Sequence, residues 1–125
     1  MENDQSAVSP KGLLILMQIS GAVQVLVGLT LWSGHGFALR GLHMANGVLF
    51  VVLLWSIAIF ALARRHRAGL AFFAILWGLV IPILGFTQQG ILIGDYHWVI
   101  RVLHLVVSVA AMPMANLLAK RNLPA

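Results

Sequence analysis

Four long apolar stretches, separated by short polar segments, dominate the chain. They cover residues 13–32, 39–62, 68–88 and 97–119. A helix of about twenty residues spans roughly 30 Å of hydrocarbon at about 1.5 Å rise per residue. The pattern therefore predicts an all-α protein, an integral membrane four-helix bundle in which successive helices run up and down.

Composition agrees with a membrane protein. The chain has 125 residues, of which 61% are hydrophobic and 9% are charged, and it has no cysteine. A soluble domain of this length has too little interior to bury so much apolar surface. The lack of cysteine excludes disulfides, iron–sulfur clusters and thioether attachment of haem. We expect one membrane domain over residues 1–125, with a short polar tail over 1–10.

The basic residues are unevenly distributed between the two sides of the predicted bundle. Six lie near the chain ends or in the middle loop: Lys11, Arg64, Arg65, Arg67, Lys120 and Arg121. Only Arg40 and Arg101 lie on the opposite side. The positive-inside rule then places both termini in the cytoplasm, in a bacterial inner membrane. Lipid is the expected partner of this basic surface, and nucleic acid is not.

The chain also contains a tandem repeat, with copies at about 11–63 and 68–121. A shift of 57 residues superimposes small residues, Gly21 on Gly78, Gly28 on Gly85 and Thr30 on Thr87. A shift of 61 superimposes a second set, Arg40 on Arg101, Leu42 on Leu103 and His43 on His104. Each half enters and leaves on the same side, so we expect a pseudo-twofold axis along the membrane normal.

The repeat places His43 and His104 at equal depth on the second and fourth helices, which are diagonal neighbours in an up-down bundle. Ionisable side chains at membrane depth are expensive and usually functional. A zinc site needs three or four ligands, and no carboxylate or thiolate in the helices completes one. The one acid outside the N-terminal tail, Asp95, lies in a loop, which disfavours a proton-coupled carrier. Two imidazoles and an apolar slot suit one haem b with bis-histidine ligation.

Further candidates surround these two histidines. Arg40 and Arg101 lie one turn nearer the surface and are predicted to pair with the haem propionates. The alternative is that both arginines snorkel to lipid headgroups. Four small residues are predicted to leave space for a flat group, although ordinary helix packing also uses such residues. These are Gly28, Gly47, Gly85 and Ser108.

Three other polar residues are singled out by position. His35 and His97 form a second pair in the outer loops, for which a metal contact, a quinone contact, a proton relay and plain solvation all remain open. Gln24 lies near mid-membrane in the first helix, and Ile81 takes its place in the repeat. We expect Gln24 to hydrogen-bond a neighbouring helix.

Three short segments resemble the haem A synthase family. They are Gln24-Val-Leu-Val-Gly28-Leu-Thr30, His43-Met-Ala-Asn-Gly47-Val-Leu and His104-Leu-Val-Val-Ser108. The resemblance implies a four-helix half of an eight-helix plan, with histidines on the second and fourth helices ligating haem. The plan is also similar to that of small four-helix membrane b-type cytochromes. The chain differs from the synthases in lacking acids in the outer loop 34–40 and in lacking paired cysteines.

The sequence thus favours a b-type membrane cytochrome with one low-spin haem near the outer leaflet. One-electron transfer with quinol or a respiratory partner is the expected activity. Two axial histidines block oxygen binding at the iron, so we expect an electron-transfer or haem-binding protein rather than a self-sufficient enzyme. Two alternatives remain open: a half-length haem-modifying protein acting as a homodimer, and a cofactor-free structural subunit of a membrane complex.

Overall fold

The computed structural model describes residues 9–120, which form four α-helices. These are α1 Pro10–Trp32, α2 Arg40–Ala63, α3 Ala68–Thr87 and α4 His97–Ala119. Short 3₁₀ turns at Phe37–Leu39 and Gln88–Gly90 precede α2 and follow α3. The predicted all-α four-helix bundle is confirmed. Residues 1–8 of the predicted polar tail, and Arg121, lie outside the described part of the chain.

The first helix begins before the apolar pattern does, because its start is set by capping residues. The Ser9 hydroxyl accepts a hydrogen bond of 3.1 Å from the backbone N–H of Gly12, and Pro10 occupies the first helical turn. Serine at the N-cap and proline at the next position satisfy or remove amide donors that a helix start leaves free. Because of these capping residues, α1 begins at Pro10, whereas the apolar pattern alone predicts a start at residue 13.

All four helices are long and apolar enough to cross a membrane. Large apolar side chains point outward from the bundle: Leu26 is 67% exposed, Phe72 61% and Ile83 59%. A water-soluble monomer rarely leaves this much contiguous apolar surface uncovered. The chain is a multi-pass membrane protein whose outer face suits lipid.

Neighbouring helices are antiparallel and tied by side-chain hydrogen bonds. Ser20 Oγ of α1 donates to Asn46 Oδ1 of α2 at 2.9 Å. Trp55 Nε1 of α2 donates to the Ile75 carbonyl of α3 at 3.0 Å. Trp77 of α3 likewise donates to α4, and Gln18 of α1 to Asn116 of α4. The diagonal helices α2 and α4 also contact each other.

The bundle has two ends, which we call the terminal end and the loop end. The terminal end holds the start of α1, the turn at 64–67 and the end of α4. The loop end holds the connections at 33–39 and 88–96. The continuous buried cluster lies toward the terminal end. Its members with 0% exposure are mostly alanines, which let helices approach closely: Leu54, Ala58, Ala71, Ala74, Ala111, Ala115, Leu118 and Ala119.

Equivalent contacts recur in the two halves of the bundle. Ser20 Oγ also lies 3.4 Å from the carbonyl of Asn46, which is three residues after His43. In the second half Trp77, which a shift of 57 superimposes on Ser20, donates at 2.8 Å to the carbonyl of Val107. Val107 stands three residues after His104. Equivalent backbone carbonyls of α2 and α4 therefore accept hydrogen bonds from equivalent positions of α1 and α3.

Gly78 offers a test of this close packing. A Cβ added there would overlap the indole of Trp55, so Gly78→Ala must displace a ring that also bonds α3. We expect a loss of about 1–3 kcal/mol of stability, as is usual for overpacking, measured as a lower midpoint of thermal unfolding in detergent. Gly69→Ala, in the same helix with nothing within 4 Å of the added Cβ, is the control. An equal effect of both substitutions would contradict the close contact.

Candidate functional site

The loop half of the bundle contains a cavity of about 630 Å³. Its volume falls within the range of roughly 300–1,000 Å³ that is usual for small-molecule and cofactor pockets. The cavity lies on the loop-end side of the alanine-rich cluster. Packing therefore concentrates stability in one half of the bundle and leaves space in the other.

The eight residues predicted from the sequence to surround a cofactor all line this one cavity. They are Gly28, Arg40, His43, Gly47, Gly85, Arg101, His104 and Ser108. They come from all four helices, and the two halves contribute equivalent members. Residues at equivalent positions of the repeat therefore line the same cavity from both halves of the bundle.

The two imidazoles pack in the same way on opposite sides. A Cβ added to Gly28 would lie 3.2 Å from Cε1 of His43, and a Cβ added to Gly85 would lie 3.2 Å from Cε1 of His104. Both contacts are tighter than side chains normally make, so glycine is needed for each ring to take its position.

Each of these imidazoles has a ring nitrogen without a partner. The Nδ1 atoms of His43 and His104 are buried and make no hydrogen bond with any described residue. A buried polar atom left in this state costs about 1–3 kcal/mol. Native proteins retain such atoms where a ligand, ion or water engages them. The two histidines that carry these nitrogens line one cavity, which makes it the candidate binding site.

A polar network holds His43 from one side. Asn46 Nδ2 donates to Gln24 Oε1 at 2.8 Å, which orients the Gln24 amide. Gln24 Nε2 then donates to the His43 carbonyl at 3.0 Å and lies 3.2 Å from His43 Nε2. Because an amide NH₂ only donates, His43 Nε2 is the acceptor and the proton of the neutral ring is on Nδ1. The expected interhelical bond of Gln24 is confirmed, and its partner is the candidate ligand.

The second half lacks this network. Ile81 stands at the position equivalent to Gln24, and the ring of His104 has no hydrogen bond with a described residue. Asn46 was not anticipated as part of the site. The spacing of three residues between His43 and Asn46 could have indicated this role, because residues at that spacing share one face of α2. The two candidate ligands therefore share a position but not a hydrogen-bonding environment.

The arginines lie at the mouth of the cavity. Arg40 and Arg101 are exposed, and neither has an ion pair with a carboxylate among residues 9–120. Two guanidinium groups without anionic partners beside an apolar cavity suit a ligand that carries carboxylates. They do not distinguish such a ligand from lipid headgroups by themselves.

The structure separates the second histidine pair. His97 lines the cavity, and its Nδ1 lies 3.3 Å from the Ile91 carbonyl. His35 does not line the cavity, and its Nδ1 lies 3.1 Å from the Ser33 hydroxyl. The two loop histidines therefore have different surroundings despite their similar positions in sequence.

Within the described part of the chain, no group of three or more His, Cys, Asp or Glu comes together to hold a bare metal ion. The chain matches no family model, no curated protein and no solved structure. The resemblance to haem A synthases therefore stays a prediction, and the site is interpreted from its own geometry.

The Gln24–Asn46 bond can be measured by a double-mutant cycle in thermal unfolding. Gln24→Leu and Asn46→Leu should be non-additive by about 0.5–3 kcal/mol, because each removes the other's partner. Gln24→Leu with Ser56→Ala is the control. Ser56 bonds only its own helix, at the Val52 carbonyl, so that pair should add to within about 0.5 kcal/mol. Additivity in both cycles would show that the bond between Gln24 and Asn46 does not stabilise the protein.

Proposed function

We propose that the protein is a b-type membrane cytochrome that binds one haem b through His43 and His104 and transfers single electrons. The observation that carries this proposal is the pair of repeat-related imidazoles, His43 of α2 and His104 of α4, that line one cavity. Haem needs just two protein nitrogens, and Gly28 and Gly85 leave room for the two imidazoles. A bare metal ion would need more ligands than the described residues provide.

The surrounding residues fit the rest of the group. Arg40 and Arg101 line the same cavity without carboxylate partners, so they are available to two propionates. Apolar side chains including Val25, Ile81 and Leu105 form the walls. An apolar shell excludes water and tunes the reduction potential of a bound metal centre. These residues support the proposal that the cavity holds haem.

The histidines also determine what kind of chemistry is favoured. Haem supplies a one-electron couple when bound. If His43 and His104 both held the haem iron, oxygen would have no open coordination position, which favours electron transfer over oxygen activation. Gln24 already occupies the Nε2 lone pair of His43, so ligation through that atom replaces a hydrogen bond. His104 has no such competitor.

We also propose a bacterial inner membrane and an orientation with both termini in the cytoplasm. Lys11, Arg64, Arg65, Arg67 and Lys120 lie at the terminal end of the bundle. Arg40 and Arg101 alone of the described basic residues lie at the loop end. The positive-inside rule then puts the cavity near the outer leaflet, where a quinol or a respiratory partner can reach it.

One observation favours a second candidate, a cofactor-free structural subunit. The bond between Gln24 and His43 is an ordinary interhelical contact, and a histidine can serve packing alone. A packing role does not explain His104, whose ring has no hydrogen-bond partner in the described chain. A haem-modifying half-protein working as a homodimer receives less support, since no carboxylate lines the larger cavity.

The test is the visible spectrum of the protein purified in detergent after expression with ample haem. We expect a Soret band, with sharp α and β bands on reduction. His43→Ala and His104→Ala should each abolish the low-spin spectrum, because each removes one axial nitrogen. A colourless protein would support the structural subunit instead.

His35→Ala is the matched control. His35 lies in the first half of the repeat, as His43 does, but it does not line the larger cavity. It should keep the low-spin spectrum and the wild-type haem content. An unchanged low-spin spectrum in His104→Ala would refute the assignment of the ligands. Extraction of a chemically modified porphyrin from active membranes would favour the haem-modifying alternative.

A further inference from the structure

A second, smaller cavity of about 410 Å³ lies at the loop end, between the α3–α4 connection and the first turns of α4. The two halves of the repeat differ in length at this connection. The shift between equivalent residues grows from 57 at Thr87 to 61 at Arg101, so the second half has four more residues between these positions than the first. The α3–α4 connection at 88–96 is two residues longer than the α1–α2 connection at 33–39. Ile93 and Asp95 of this longer connection line the cavity.

The lining of this cavity is amphipathic. Ile93 is 80% exposed and Trp98 is 57% exposed, so both present apolar surface. Beside them stand Asp95, the only acid among residues 9–120, and His97. A flat ring with polar substituents fits such a lining, because the ring can lie on the indole while its hydroxyls reach the polar groups.

His97 is held so that it can accept a proton. Its Nδ1 lies 3.3 Å from the carbonyl oxygen of Ile91. A carbonyl only accepts hydrogen bonds, so Nδ1 carries the proton and Nε2 of the neutral ring has a free lone pair. The Ser33 hydroxyl donates to the Thr30 carbonyl at 2.7 Å, so it accepts from Nδ1 of His35 and leaves Nε2 of that ring free as well. His35 differs from His97 in its position, because it lines neither cavity.

The smaller cavity also adjoins the larger one. Gln89, His97 and Arg101 line both. His97 precedes His104 by seven residues on α4, so the two lie on one helical face about 10 Å apart along the axis. A molecule in the smaller cavity is therefore close to the proposed axial ligand.

We propose that the smaller cavity is a hydroquinone-binding site, with His97 Nε2 as the acceptor of a hydroxyl proton. The proposal rests on the proposed haem function, because ferric haem is the oxidant. Oxidation of one hydroquinone to quinone breaks two O–H bonds and releases two electrons and two protons. The electrons reduce the ferric haems of two chains, one electron each. One proton goes to His97 Nε2, and the other goes to water or to the Asp95 carboxylate.

The kinetic test follows reduction of the ferric protein by duroquinol, a tetramethyl hydroquinone, in a stopped-flow spectrometer. His97→Gln should slow this reduction at least tenfold, while dithionite reduces variant and wild type alike and the haem spectrum stays the same. Two chains should be reduced per duroquinol oxidised. His35→Gln, which changes a loop histidine outside both cavities, should react at the wild-type rate. A wild-type rate in His97→Gln would overturn the proposal.

The binding test does not depend on haem. An azido-substituted benzoquinone should photolabel the segment 89–101, with or without haem, and excess duroquinone should suppress the labelling. Trp98→Leu should weaken it, since the indole supplies the apolar face. Labelling of this segment in a colourless protein would refute the haem proposal while supporting the quinone site. Labelling elsewhere, or none, would overturn the quinone site whatever the spectrum shows.

Discussion

The free energy of a polar atom inside an apolar bundle is the constraint on which the site depends. Two imidazoles enter the membrane-spanning helices at equivalent positions, and each keeps a buried nitrogen without a hydrogen-bond partner in the described chain. Packing does not relieve this cost, because the alanine-rich cluster fills only the terminal half of the bundle. The loop half stays open around the histidines. The group that we propose as the ligand occupies this open half and lies between the two rings.

The two halves share a backbone plan but differ in chemistry. Gly28 and Gly85 support the two rings identically, with 3.2 Å between each added Cβ and a ring carbon. Gln24 then bonds His43, whereas Ile81 leaves His104 free on that side. The longer α3–α4 connection adds a smaller cavity on one side alone. The predicted repeat thus matches the equivalent positions of the two histidines, whereas single residues and one loop make the surroundings of the two rings different.

Much of the fold could be predicted because membrane helices follow hydropathy closely. All four spans end within a few residues of the predicted limits, and the start of α1 differs because Ser9 and Pro10 cap it. The members of the cavity were also predictable, since a repeat places equivalent residues at equal depth. The network of Gln24 with Asn46 was only partly predictable. Spacing indicates which helix face a residue occupies, but the choice between several polar partners depends on side-chain geometry across helices.

The loop residues mark the limit of prediction from sequence. His35 and His97 look like a pair, yet only His97 lines the cavities. Helical periodicity carries no information about connections, and the path from 88 to 96 depends on turns such as Gly94, whose φ is 95°. The placement of His97 and Asp95 beside Trp98 is therefore a result of the structure alone.

Electron paramagnetic resonance of the ferric protein tests the central claim most directly, because the signal reports both axial ligands of the iron at once. With one haem bound per chain, ligation by His43 and His104 predicts a low-spin signal characteristic of two imidazoles. A high-spin axial signal would contradict the account, since it would leave at least one axial position without a histidine.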